Sequence, residues 1–300
     1  MRTLTYSRGM LLAVMMIGAG HAAADTTQLH FCTGAEGGFY DKMSHTIGNN
    51  IVRETGAKLT VINTGGSYEV AEKLKDGTCD IGLLQGDAVV SLPLPNDIEV
   101  TDAHVEAVYW LHPKDGIDDF GKMEKTENAK KYAVAVIRGG GSQVTMAKFA
   151  TMDKDYAQVR VIEFEDWMQA GKAIAQGFTT RNGEKILVAG GLYVGRMGAM
   201  TSDITEDFGS LIQVGEVNDS DFADAKDQNG NALYFKCSIE KAKANGMTLS
   251  TFAGRSVDTY CMRAQIVYTN AYTQGADKET ARKVNRAVAK AVNSEVKQYR

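Results

Sequence analysis

The chain has 300 residues, of which 44% are hydrophobic and 23% charged, with a formal net charge of −4. That length fits one large or two medium domains, each able to bury its own core. A mildly acidic chain without a basic run lacks the electrostatic footprint of a nucleic-acid binder, so nucleic acid is excluded as an expected partner.

The first 24 residues form a pattern of their own. Arg2 and Arg8 make a positive start, Gly9 to Gly18 is apolar, and Gly20 to Ala24 is rich in small residues. This is the layout of a secretory signal cut after Ala24. The apolar run is shorter than the roughly 20 residues that span a bilayer, and no later segment is long enough either. No cysteine stands at the cleavage point, so a lipid anchor is not expected. The expected product runs from Asp25 to Arg300 in the periplasm, is not itself membrane-spanning, and carries a charge of −6 once both arginines are gone.

In chain order, Leu29 to Cys32 predicts a first strand, and 39–53 a helix with Met43, Ile47, Ile51 and Val52 on one face. Leu59 to Asn63 predicts the next strand. A T-G-G-S turn follows at 64–67, with Ser67 placed as an N-cap, then a short helix from Tyr68 to Lys75 that stops at Gly77. Asp80 to Gln85 gives a third strand. Alternation of this kind implies a parallel sheet with right-handed crossovers. Within 91–131, Glu106 to His112 predicts a strand leading to a crossover.

The pattern then recurs. Tyr132 to Ile137 is a strand, R-G-G-G-S at 138–142 a glycine loop, and 143–152 a helix. Val159 to Phe164 is a strand, followed by a helix capped by Asp166 and ended by Gly177. Lys185 to Ala189 is a strand running into G-G-L-Y. Later, Ser220 to Asn231 is loop-like, and Tyr260 to Thr269 suits a strand returning to the first unit. Asp277 to Gln298 is an amphipathic helix with Ala281, Val284, Ala287, Val288, Ala291 and Val292 in its apolar stripe. The expected fold class is α/β with two lobes: 25–112 plus 236–300 as lobe 1, and 113–235 as lobe 2.

Four cysteines, Cys32, Cys79, Cys237 and Cys261, allow three pairings in an exported chain. Cys237 and Cys261 flank one short segment and are the favoured pair. Cys32 and Cys79 are disfavoured. On parallel neighbouring strands one would sit near an end and the other at a start, beyond the roughly 7 Å that a disulfide allows between Cα atoms.

In open parallel sheets, ligands lie beyond the carboxyl ends of the strands. Four turns occupy that place: T-G-A-E-G-G-F-Y at 33–40, T-G-G-S at 64–67, Q-G-D at 85–87 and R-G-G-G-S at 138–142. Their backbone N–H groups, beside helix starts, favour an anion. Glycine allows close approach, Ser and Thr add hydroxyls, and Tyr40 adds a phenol. Arg138 and Arg196 are candidate clamps for a carboxylate, though each also suits an ordinary surface position. Trp110 and Trp167 are expected in the core. There is no G-x-S-x-G, H-E-x-x-H or Walker A run, and the histidines are scattered without metal-ligand spacing. No catalytic residue, cofactor or metal is expected, and the chain is expected not to be an enzyme.

Together, T-G-A-E-G-G-F-Y at 33–40, T-G-G-S-Y-E at 64–69, D-G-T-C-D-I-G-L-L-Q-G-D at 76–87 and G-G-G-S at 139–142 resemble the TAXI family. These are solute receptors of one class of tripartite ATP-independent periplasmic (TRAP) transporters. The likeness covers 30–90 and 130–195 and fades after 200. It implies a type II periplasmic binding protein fold, two lobes closing on a small carboxylate solute of the glutamate or 2-oxoglutarate kind, with TRAP transporter membrane subunits as partners. Carried onto this chain, the binding residues are Tyr40, Thr64, Ser67, Gln85 and Ser142, with Gly38, Gly66 and Gly141 shaping the turns. Val70 stands where the family often has Asn. A-G-G-L-Y-V-G at 189–195 replaces the family's small-residue and proline stretch, which makes Gly191 and Tyr193 candidate lining residues. The same fold would also serve a ligand-sensing receptor or the binding subunit of an ABC importer.

Overall fold

The computed structural model describes residues 28–227, 229–251, 254–270 and 278–297. The expected signal at 1–24 lies outside them. The first unit follows the hydrophobic pattern closely: β1 (Gln28–Thr33), α1 (Phe39–Thr55), β2 (Lys58–Asn63), α2 (Ser67–Lys75), β3 (Ile81–Gln85) and α3 (Gly86–Ser91). β1 pairs in parallel with both β2 and β3. The chain then enters β4 (Ile98–Pro113), a long strand that is only partly covered over its first five residues and wholly buried from Glu106 to His112.

The second unit comprises α4 (Thr126–Lys131), β5 (Ala133–Ile137), α5 (Gly141–Met152), β6 (Arg160–Phe164), α6 (Trp167–Gln176), β7 (Phe178–Arg181), β8 (Glu184–Arg196), α7 (Ser202–Thr205) and β9 (Ile212–Gly215). As expected, the Asp166 side chain accepts from the Gln169 N–H, and Gly177 ends α6 in the left-handed conformation (φ 70°). β10 (Phe235–Glu240), β11 (Thr248–Leu249), β12 (Ser256–Thr269) and α8 (Lys278–Val296) complete the chain. No described helix is long and apolar enough to cross a membrane.

The strands are ordered alike in the two lobes. In the first, β2-β1-β3 is followed by β12 and then β4; in the second, β6-β5-β8 is followed by β4 and then β9. Each lobe thus receives one antiparallel strand from the chain's passage between lobes, inserted beside its third parallel strand. This is the type II periplasmic binding protein architecture, with β4 and β12 as the two crossing strands. Those strands pair with each other around Val105–Ala107 and Cys261–Arg263, where the register shifts between Arg263 and Gln265.

The crossings therefore fall inside β4 and β12, not at 112 and 236. Ile239, Met247, Leu249 and Val257, expected in lobe 1, are buried in one apolar cluster with Ile174, Val188 and Ile212 of lobe 2. The reason is pairing: β10 hydrogen-bonds with the first half of β12 before that strand crosses. The first lobe's core joins Leu29, Phe31, Met43, Ile47 and Ile51 to Val284, Val288 and Val292 of α8. The other face of the second lobe is aromatic, with Trp110, Phe120, Phe149, Tyr156, Phe222 and Tyr234 all fully buried.

Both disulfides form. Cys237–Cys261 joins β10 to β12 with Cα atoms 5.8 Å apart. Cys32–Cys79 forms as well, at 5.9 Å, contrary to the expected offset. Cys32 lies opposite Gly82, three residues past Cys79, so a straight strand would hold the two apart. Instead the chain leaves α2 in a tight turn. The Cys79 N–H donates to the Lys73 carbonyl and the Asp80 N–H to the His30 carbonyl, which folds Cys79 back over β1.

Candidate ligand-binding cleft

The carboxyl ends of the parallel strands in both lobes point to one line of contact, and the glycine loops meet there. Gly66 has φ 144°, and a Cβ on it would lie 2.7 Å from the Gly139 carbonyl oxygen and 2.8 Å from the Gly140 Cα. The Tyr68 N–H donates to that same Gly139 oxygen at 3.2 Å. A methyl on Gly141 would overlap the Gln85 amide. The T-G-G-S and Q-G-D turns of one lobe thus abut the R-G-G-G-S loop of the other.

The lobes are shut. Val144 of α5 is buried among first-lobe residues Val70, Leu84, Ala88 and Val89. Asp87 at the start of α3 accepts hydrogen bonds from two second-lobe hydroxyls, Thr145 Oγ1 at 2.5 Å and Tyr234 Oη at 2.8 Å. Burial pushes the Asp87 carboxyl up to about 6, against the pull of those two hydrogen bonds.

Three of the loop amides that glycine turns offer to an anion are taken by the chain itself. The Gly37 N–H donates to Asp41 Oδ2 at 2.9 Å, the Gly65 N–H to Glu69 Oε2 at 2.8 Å, and the Gly139 N–H to Gln143 Oε1 at 2.7 Å. In each case the acceptor sits four residues on, in the first turn of the following helix, where an acceptor also suits the helix dipole. The signal was in the sequence as G-x-x-x-D, G-x-x-x-E and G-x-x-x-Q.

The expected hydroxyls divide in the same way. Thr64 Oγ1 donates to the Thr33 carbonyl at 2.7 Å and braces the turn. Ser142 Oγ accepts from the Ile137 N–H at 2.9 Å and closes its own loop. Ser67 is buried at the first position of α2 and is not its cap; Gly66 holds the cap position, without a side-chain hydrogen bond. Gly38 is the N-cap of α1 and donates to the Ala35 carbonyl. Gly191 lies in the interior of β8, not in a turn. The strand runs through both glycines because Gly190 faces the Trp110 ring and Gly191 faces Ile174 and Ala135, leaving no room for a Cβ. Arg138 turns outward to Glu163, at 3.1 Å, and to Glu165.

What remains at the centre is polar, with one buried carboxylate. Tyr40 Oη donates to Glu106 Oε2 at 3.0 Å, and the other Glu106 oxygen lies 3.3 Å from His104 Nε2. Glu106 sits on the crossing strand and is buried, with 3% exposed. Burial and then the Glu106 charge drive the Tyr40 phenol well above its usual range, with smaller contributions from Asp87 and Tyr193. Arg196 stands opposite Glu106 in the β4–β8 register, its guanidinium 4.6 Å from the Phe39 ring centre. Thr33 Oγ1 and Gln85 Oε1, at the ends of β1 and β3, are buried without a hydrogen-bond partner. Sequence reasoning missed Glu106, which reads as one more residue of an apolar strand.

No protein-family model matches the chain, and no curated protein does. Solved structures similar to it include the GluR0 ligand-binding core in complex with L-glutamate, at 11% identity and a TM-score of 0.47, covering 92% of this chain and 99% of that one. The Bordetella pertussis BvgS VFT2 domain, as a double mutant, gives 11% and 0.45 over 92% and 95% of the two chains. The effector-binding domain of a BenM variant gives 11% and 0.45 over 90% and 96%. Likeness at this level concerns the outline of the fold and says nothing of the ligand.

Proposed function

We propose that this chain is a periplasmic receptor that captures a small carboxylate between its lobes and delivers it to the membrane subunits of a TRAP transporter, without turning it over. One observation carries this reading: glycine loops from two lobes abut along one line, beside buried polar atoms of Thr33 and Gln85 that no protein group satisfies. Such atoms cost free energy unless a ligand meets them.

The charges refine the solute. Glu106 would repel a bare dicarboxylate, whereas a solute with an ammonium group could meet Glu106 while its carboxylate turns to Arg196. An α-amino acid of the glutamate kind fits that polarity better than 2-oxoglutarate. Ligand closes the lobes only through contacts absent from the open form. The test is a thermal-shift panel of amino acids and dicarboxylates, followed by calorimetry. Amino acids are expected to raise the melting temperature, since binding to the folded form stabilises it. A response confined to dicarboxylates would overturn the polarity, and no response to any member would overturn the receptor reading.

A further inference from the structure

The last helix carries charges that take no part in the cleft. α8 holds five lysines and arginines against two glutamates, a balance of +3 in a chain whose formal net charge is −4. Its apolar stripe, with Val284, Val288 and Val292, is buried in the first lobe's core. Lys278, Arg282, Lys283, Arg286 and Lys290 are all exposed. Four of them recur at every fourth residue from Lys278 to Lys290, a row just over three turns and about 18 Å long.

Little in the chain neutralises this row. Among the described residues only Lys290 of the five forms an ion pair, with Glu54 Oε1 of α1 at 2.9 Å. Like charges four residues apart on a helix repel and weaken it. The shape of the surface is a second, separate feature. The five cationic side chains line a groove of about 760 Å³ beside the end of α1, with Glu54 and Glu279 as its acidic members. No large apolar side chain is exposed there: among the described residues those are Val161, Met168 and Leu211, all in the second lobe.

We propose that this row is a docking surface for the anionic phospholipid face of a membrane. A protein–protein interface is built around an apolar or aromatic centre, and this row has none. A lipid surface needs no matching shape. Its negative potential attracts clustered lysines and arginines that come within a Debye length of it. The guanidinium forks of Arg282 and Arg286 suit headgroup phosphates, which they can hold through two hydrogen bonds each. α8 is rooted in the core of one lobe, so a docked chain is held by that lobe while the other is free to open. The row shares no residue with the cleft, so it stands or falls apart from the receptor reading.

The experiment pellets the whole chain with phosphatidylcholine vesicles, with and without about one third phosphatidylglycerol, in about 50 mM salt. Binding is expected to the anionic vesicles alone, falling about tenfold when salt is raised to about 300 mM. Arg282→Glu combined with Arg286→Glu should weaken it by at least about tenfold. The melting temperature should not fall, because each new carboxylate stands four residues from a remaining lysine. Lys125→Glu combined with Lys130→Glu makes the same change of net charge at exposed positions of the second lobe, and should bind as the unaltered chain does. The proposal is overturned if the unaltered chain ignores anionic vesicles, if the α8 variant still binds them, or if both variants lose binding alike. Release by inorganic phosphate at matched ionic strength would assign the row to a free anion. Retention on immobilised polyglutamate without vesicle binding would assign it to an acidic protein. Either result removes the lipid docking surface.

Discussion

A carboxylate buried on a crossing strand needs partners, and Glu106 has the Tyr40 phenol and the His104 ring. The phenol brings no positive charge, so Glu106 keeps a preference for a donor or cation from the solute. Glu106→Gln retains the shape and removes the charge. It is expected to weaken binding of an amino-acid solute by about 1.5–3 kcal/mol, the worth of a charge-assisted hydrogen bond, in calorimetry. Equal affinities in the two proteins would take Glu106 out of the site.

Asp87 gives a second prediction at this scale. Its carboxyl is pushed up to about 6 in the folded chain, from an ordinary value near 3.8. Over that interval the folded form holds the proton more tightly than the unfolded form does. The stability it contributes is thus full below about pH 4 and is lost as pH rises through 6, amounting to about 3 kcal/mol. Asp87→Asn still accepts from Thr145 and Tyr234 but cannot ionise. Its thermal melts are expected to show a flatter loss of stability between pH 4 and 7 than the unaltered chain. Parallel curves for the two would mean that other groups set that slope.

Among the elements, those that bracket the glycine turns were legible in the sequence because each keeps one period throughout. α1 buries Met43, Ile47 and Ile51, and α8 buries Val284, Val288 and Val292, as their spacing predicts. β4 was only half legible. It serves one lobe with its first half and the other with its second, so its burial pattern changes midway, and only Glu106–His112 reads as a strand. The predicted strand stops at Ala189, yet Gly190 and Gly191 continue it, because Trp110 and Ile174 from elsewhere in the chain leave no room there for a Cβ. The glycine loops were placed correctly, but the Asp41, Glu69 and Gln143 side chains that occupy their amides were not foreseen.

The disulfides belong to the same scale. Cys237–Cys261 closes a separation of 24 residues and Cys32–Cys79 one of 47. Each is expected to stabilise the fold by about 3–4 kcal/mol through the unfolded chain. Replacing Cys32 and Cys79 together by Ser should lower the midpoint of denaturant unfolding without changing the ligand contacts. An unchanged midpoint would show that this bond constrains little.

For the whole molecule, closure joins side-chain contacts to a close approach of backbone to backbone. Gly66→Ala puts a methyl against Gly139 and Gly140 of the other lobe, at a φ of 144° that other residues rarely adopt. The lobes should still fold, while X-ray scattering shows a larger radius of gyration and solute affinity falls at least tenfold. The claim beneath all of this is that the shut lobes hold a small molecule. Native mass spectrometry of the protein taken from the cells that produce it tests that most directly. The account predicts one small adduct per chain, lost on denaturation and identified as an amino acid or a related carboxylate. A bare chain mass, persisting after incubation with those compounds, would contradict it.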